Sequence, residues 1–137
     1  MKPRVSVVFI SDNKRILLIK RSKGNREYWV FPGGGVEPDE SLDEAVRRET
    51  FEETSFVIEE ATPIFSINNN VRHEHFYTAR TVEFTPQLSP CGPEFTAQNR
   101  LNSYDLKWID ISEMTSLDVF PSEAKELVDA LIAEARI

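Results

Sequence analysis

Cysteine is nearly absent from this chain: Cys91 is the single one among 137 residues. That excludes an internal disulfide and a cysteine-built zinc cluster. Histidine is almost as scarce, with only His73 and His75. They alternate around Glu74 on an expected strand, so both face one side. Such a pair can bind a metal, but no third ligand stands beside them, and they read as a surface or substrate-side polar pair. Positive charge is short as well. With 16 Lys and Arg against 23 Asp and Glu, the formal net charge is −7. That sign does not suit the phosphate backbone of a polymeric nucleic acid, which is not expected as a partner. No apolar run is long enough to span a membrane. The opening MKPRVSVVFISDNK holds a strand-length apolar stretch without a small-residue cleavage site, so no membrane partner and a cytoplasmic location are expected. Repeats, low-complexity segments and linkers are also missing. With 40% hydrophobic and 10% aromatic residues, the chain is expected to fold as one domain over 1–137.

Glycine is rare too, five in all, yet three are consecutive at Gly33, Gly34 and Gly35. They sit in the stretch 29–56, WVFPGGGVEPDESLDEAVRRETFEETSF, around which the rest is organised. A strand end runs into this glycine-rich loop, and a short helix follows. Ser41 and Glu44 form a capping box at its start. At about 100° per residue Leu42, Ala45 and Val46 make a core-facing stripe, and the next turn of that stripe is Glu49, Glu52 and Glu53. An ordinary amphipathic helix carries apolar residues there. Neighbours three and four apart lie about 5–6 Å from one another, so these carboxylates repel unless a cation intervenes. Hard divalent cations, above all Mg²⁺, prefer such oxygen ligands. Arg48 stands within helix reach of Glu44 and Glu52. The competing reading is a solvated acidic face with i,i+4 ion pairs.

These residues resemble the Nudix hydrolase signature, G-x5-E-x7-R-E-U-x-E-E-x-G-U with U a bulky apolar residue. Gly34, Glu40, Arg48, Glu49, Glu52, Glu53 and Phe56 fall in register with it. Thr50 departs where a bulky aliphatic is usual, and Ser55 where the second glycine is usual. A residue just past the last helical turn commonly adopts the left-handed conformation, which costs Ser roughly 1–2 kcal/mol. On that ground Ser55→Gly is expected to raise the melting temperature.

The resemblance implies an α/β fold, an α/β/α sandwich with a mixed sheet between helices. It implies a Mg²⁺-dependent pyrophosphohydrolase, with Mn²⁺ as a substitute, cleaving a nucleoside di- or triphosphate derivative by water attack at phosphorus. Glu52 and Glu53, then Glu49, are the metal ligands so implied, with a backbone carbonyl of Gly33 completing the shell. Gly34 and Gly35 would serve the turn. Arg48 joins the catalytic set by holding carboxylates, with Glu40 as structural partner. The general base is a box glutamate or a carboxylate from a distant loop, for which Glu94 is the candidate. A non-catalytic nucleotide sensor and an isomerase of the same superfamily are the alternatives. Nucleoside triphosphates, sugar nucleotides and dinucleoside polyphosphates all stay open, as do monomer and homodimer.

Along the rest of the chain, 5–10 and 16–19 are expected as a hairpin. An exposed basic loop over 20–26 would offer Lys20, Arg21, Lys23 and Arg26 to phosphates, and a strand follows at 28–31. Further strands are expected at 56–59, 64–67, 74–84 and 104–109, with a polar turn at Asn68, Asn69 and Asn70. The stretch 85–102 reads as a long loop, and such loops are commonly functional. Ala124, Leu127, Val128, Leu131, Ile132 and Ala135 recur at helical spacing behind Pro121. Trp29, Phe76 and Tyr77 could stack a base, although strand aromatics more often belong to the core.

Overall fold

The computed structural model describes residues 2–90, 92, 94 and 102–137. Eight strands form one sheet: β1 (Arg4–Ser11), β2 (Arg15–Lys23), β3 (Arg26–Val30), β4 (Gly33–Gly35), β5 (Thr62–Asn68), β6 (His73–Thr81), β7 (Asn102–Asp110) and β8 (Val119–Phe120). The helices are α1 (Leu42–Thr54), α2 (Ile111–Met114) and α3 (Ser122–Ala133). The sheet runs β5-β6-β1-β2-β3-β8, with β4 added to β1 and β7 to β2. It is mixed, because β1 with β6 and β3 with β8 are parallel and the other pairs antiparallel.

One edge of β2 is shared, and the sheet splits there. Its register meets β1 at Ile10 and Ile16, and β3 takes over from Ile19 onward. β1 therefore splays away from β2, and β4 fills in beside Arg4, Val5 and Ser6. The cleft so opened is where the candidate site lies.

Alternation along β1 sends side chains to two cores. Val8 and Ile10 join Ile16, Leu18, Phe31 and Phe76 under α2 and α3, which contribute Met114, Ala124 and Val128. Val5, Val7 and Phe9 face α1 and its Ala45 and Val46, with Tyr77. Each such side chain, fully buried, contributes roughly 1.5–3 kcal/mol. Helices on both faces of a mixed sheet make the expected α/β/α sandwich. Phe76 and Tyr77 are core residues, and Trp29 packs partly buried against the first core.

The capping box at α1 forms as read: Glu44 N–H donates to Ser41 Oγ at 3.1 Å, and Ser41 N–H to Glu44 Oε1 at 3.0 Å. Ser55 ends the helix in the left-handed region at φ 63°, ψ 14°. Its hydroxyl, however, donates to the Gln87 carbonyl at 2.7 Å. A hydrogen bond worth about 0.5–1.5 kcal/mol offsets most of the conformational cost, and most of the gain expected from Ser55→Gly goes with it.

Several expectations need correction. Gly33–Gly35 is a short strand on β1, not a turn. The 20–26 segment is a hairpin instead of a loop, with β2 continuing to Lys23 and Gly24 at φ 62°. No strand forms at 56–59, because the Ile58 and Glu59 carbonyls accept from the Arg47 guanidinium at 2.5 and 3.1 Å. β6 stops at Thr81. Phe84, beyond it, stacks on Phe56 at 4.3 Å between centroids, and its carbonyl accepts from Trp108 Nε1. α2 is one turn long, too short to show a period. α3 buries Ala124 and Val128 but leaves Leu127 exposed, and Ala135 lies past its end. The 85–102 stretch, with Cys91, falls partly outside the described residues.

Candidate active site

The stripe on α1 carries Glu49 and Glu53 into the protein body, where both are buried. Glycine makes room for them. A Cβ on Gly34 would stand 2.2 Å from Glu49 Oε2, and one on Gly33 would stand 2.1 Å from the Val5 carbonyl oxygen. A side chain at Gly33 would force β4 off the β1 backbone, and one at Gly34 would displace the Glu49 carboxylate. The Gly33 N–H donates to Glu53 Oε1 at 2.8 Å. Gly33 thus meets the cluster through its amide, where the sequence had pointed to its carbonyl.

Arg48 ties the group together. Its Nε and Nη2 fork the Glu40 carboxylate at 2.6 and 2.9 Å, and Nη2 also donates to the Gly35 carbonyl at 2.9 Å. Nη1 reaches Glu49 at 2.9 Å and Glu52 at 3.2 and 3.3 Å. The guanidinium holds the Glu40 carboxyl down at about 2, and these anions in turn push Arg48 above its ordinary value. Glu49 goes the other way. Burial pushes it up to about 7 against the pull of Arg48. Glu53 rises well above the usual carboxylate range, since desolvation outweighs its bond from Gly33 and both Glu94 and Glu49 repel it.

Glu94 comes from the distal stretch to the same place. Glu49, Glu53 and Glu94 each offer an oxygen within 4.8 Å of the others. Glu49 Oε2 and Glu94 Oε1 are buried without a hydrogen-bond partner. Buried unpaired anionic oxygens are costly, and three converging carboxylates suit a hard divalent cation. The donor set fits Mg²⁺ or Mn²⁺. Glu52 is placed differently: both its oxygens lie on Arg48, at the rim of the group.

The cluster lines a cavity of about 810 Å³ whose lining also holds basic and aromatic side chains. Arg21 and Arg26 line it, whereas Lys20 pairs with Glu27 at 3.0 Å and Lys23 lies outside the lining. Arg26 sits over the Tyr28 ring at 4.7 Å and the Phe120 ring at 5.3 Å, and these rings meet edge to face. Sequence reading missed Arg4, Tyr28, Tyr104 and Phe120. Tyr28, Arg21 and Tyr104 lie opposite one another on β3, β2 and β7, a row visible only once register is known. Glu74, also in the lining, is buried and bound by Ser6 Oγ and Arg72. His73 and His75 stay together, ring centroids 4.8 Å apart, and neither lines the cavity.

The chain has relatives among known proteins. In sequence, a stretch of 61 residues is 44% identical to Nudix hydrolase 19, chloroplastic, of Arabidopsis thaliana, covering 41% of this chain and 14% of that protein. Over 50 residues it is 42% identical to the putative 8-oxo-dGTP diphosphatase of Bacillus subtilis, covering 36% of this chain and 32% of the relative. Over 52 residues it is 36% identical to an RNA pyrophosphohydrolase of Pseudomonas putida, covering 38% and 31% respectively. The matched stretches thus span less than a third of these curated relatives. In structure, a MutT from work on Aliivibrio salmonicida and Vibrio cholerae superposes at TM-score 0.76 with 22% identity, over 97% of this chain and 98% of the other. The NUDIX domain of Shewanella oneidensis NrtR, complexed with ADP ribose, does so at 0.72 with 22% identity, over 95% and 86%. A profile of the NUDIX domain matches residues 1–131, and the chain belongs to that family.

Proposed function

We propose that the chain is a Mg²⁺-dependent pyrophosphohydrolase that cleaves a nucleoside di- or triphosphate derivative. The observation that carries this is the meeting of Glu49, Glu53 and Glu94, two of them with a buried unpartnered oxygen, in a cavity that arginines also line. Glu49, Glu53 and Glu94 would hold the cation, with Glu52 beside them and Gly33 supplying main chain. When bound, a divalent ion neutralises phosphate charge and lowers the pKa of water.

This chain's own residues supply the rest. Arg48 holds Glu49 and Glu52 in place and, through Glu40 and the Gly35 carbonyl, locks α1 to β4. Arg4, which acts on Glu53 electrostatically, and Arg21 and Arg26 in the same lining bind and orient the polyphosphate. Tyr28 and Phe120 offer ring surface to the nucleoside. Glu49 and Glu94 each have two oxygens, and the one not turned to the cation takes the proton of the attacking water. The working unit is the whole span 1–137, acting in the cytoplasm as a monomer or homodimer. Among the described residues no helix is long and apolar enough to cross a membrane.

The test is a panel of nucleoside triphosphates, sugar nucleotides, dinucleoside polyphosphates and an RNA bearing a 5′-triphosphate, each with Mg²⁺ and with EDTA. Phosphate-containing products that need the metal support the proposal. Tight binding without cleavage across the panel defeats it and favours a sensor, against which the retention of Glu49, Glu52 and Glu53 now counts.

A further inference from the structure

At the position where Ser55 departs from the family pattern, the structure shows a hydrogen bond that no glycine could make. Ser55 Oγ donates to the Gln87 carbonyl at 2.7 Å. The same segment is held to α1 twice more. Gln87 N–H donates to the Thr54 carbonyl at 3.1 Å, and Ser89 N–H to the Glu52 carbonyl at 2.8 Å. Carbonyls of the last helical turn have no partner within a helix, so the segment finishes the helix while the helix end fixes the segment. Leu88 and Ser89 are buried by this docking.

The chain then turns toward the carboxylates. Gly92 N–H donates back to the Ser89 carbonyl at 3.0 Å. Gly92 lies against Glu52 so closely that a Cβ there would stand 2.9 Å from Glu52 Cβ, and 3.3 Å from Glu94 Oε1. Glu94 follows two residues on, with its oxygen among those of Glu49 and Glu53. The Ser55 hydroxyl thus holds a segment that Gly92 bonds back to, and Glu94 is two residues beyond Gly92 in sequence.

We propose that Ser55 is a positioning residue for Glu94. Its hydroxyl clamps the 87–89 segment onto the end of α1 and thereby sets where Glu94 meets Glu49 and Glu53. Glycine would satisfy the left-handed backbone and keep the two main-chain bonds, but it would release this clamp. The proposal rests on reading the three carboxylates as a divalent-cation site, and Ser55 acts only through Glu94.

Direct Mn²⁺ binding tests it, by the electron paramagnetic resonance signal of free Mn²⁺ with no nucleotide present. Ser55→Gly is expected to weaken Mn²⁺ affinity on the order of tenfold, as loss of an outer-shell partner does. Ser55→Asn, which tolerates the left-handed backbone and carries an amide donor, is expected to recover it. In a Glu94→Gln background, itself weaker than wild type, Ser55→Gly should add nothing, because the two changes act on one interaction. Unchanged affinity in Ser55→Gly overturns the proposal. So does an equal loss with Glu94→Gln already present, which would place the effect in the helix end and not in Glu94. Cleavage is read separately. A protein that hydrolyses nothing in the nucleotide panel, yet shows this Ser55- and Glu94-dependent Mn²⁺ affinity, defeats the assigned reaction and leaves the clamp standing.

Discussion

Two sets of buried carboxylates line one cavity, and they are finished in opposite ways. Glu74 on β6 has both oxygens engaged, one by the Ser6 hydroxyl and one by Arg72 at 2.5 Å. Glu49 and Glu94 each keep a buried oxygen that no donor reaches. The protein therefore had the means to satisfy a buried acid here and did so at Glu74. The contrast teaches that burial alone does not mark a functional carboxylate. What sets the proposed site apart is the unspent acceptor, next to other acids whose repulsion Arg48 offsets only in part.

Breaking the unsatisfied set should have the largest consequence. Glu53→Gln removes a charge while keeping the Gly33 bond. Steady-state assays with Mg²⁺ should show a loss beyond the roughly 10–100-fold typical of residues that only orient a ligand. The same variant should also lose the thermal stabilisation that Mn²⁺ gives wild type, about 2.7 kcal/mol at 100 times Kd. Retention of either property would remove the distinction between the two sets.

Arg48→Lys probes the bracket around the unsatisfied set. A lysine cannot fork Glu40 and still reach Glu49, Glu52 and the Gly35 carbonyl. Activity should fall about 10–100-fold, with a raised metal requirement, as for other groups that orient ligands. A lysine variant with wild-type metal dependence would assign Arg48 to fold stability alone. On the satisfied side, Glu74→Ala leaves Ser6 and Arg72 without their acceptor. Chemical denaturation should register a loss of about 1–3 kcal/mol, while Mn²⁺ affinity in the absence of nucleotide stays at the wild-type value. A weakened affinity would mean that Glu74 belongs with the other acids after all.

The smallest effect is expected at Thr50. Its side chain is buried and Oγ1 has no hydrogen-bond partner, although the neighbouring Thr54 hydroxyl donates to the Thr50 carbonyl at 2.7 Å. Replacing an unpaired buried hydroxyl by an isosteric methyl, Thr50→Val, should raise stability by about 1 kcal/mol, toward the low end of the cost of burying such a group. A melting curve at or below wild type would show that this hydroxyl has a partner in solution.

How much of this was legible in the sequence follows from the range of the interactions concerned. The capping box, the stripe on α1 and the convergence of its carboxylates are local, and residues three or four apart disclose them. Arg48 and Glu40 were legible for the same reason, since a loop and the helix it enters are close in the chain. Gly33–Gly35 misled, because a glycine run signals a turn unless its partner strand is known, and that partner is Arg4, Val5 and Ser6. The aromatic part of the lining was illegible: Tyr28 and Phe120 meet only because β8 returns parallel to β3. Glu94 lay in between. Its loop was recognisable, but its approach to Glu53 depends on how the 87–92 segment docks.

The pairing of β1 with β6 has a further consequence, in time instead of space. Arg4–Ser11 lies beside His73–Thr81 along its whole length, a contact between segments far apart in the chain. Such contacts form slowly, because the closure of the intervening loop must precede any gain from them. As the chain leaves a ribosome, the glycine strand and the glutamate helix emerge well before β6, and Glu94 later still. For that interval the nascent protein owns the signature that defines its family without the full set of converging carboxylates. The meeting of Glu49, Glu53 and Glu94 is therefore completed late, when the distal stretch docks on α1.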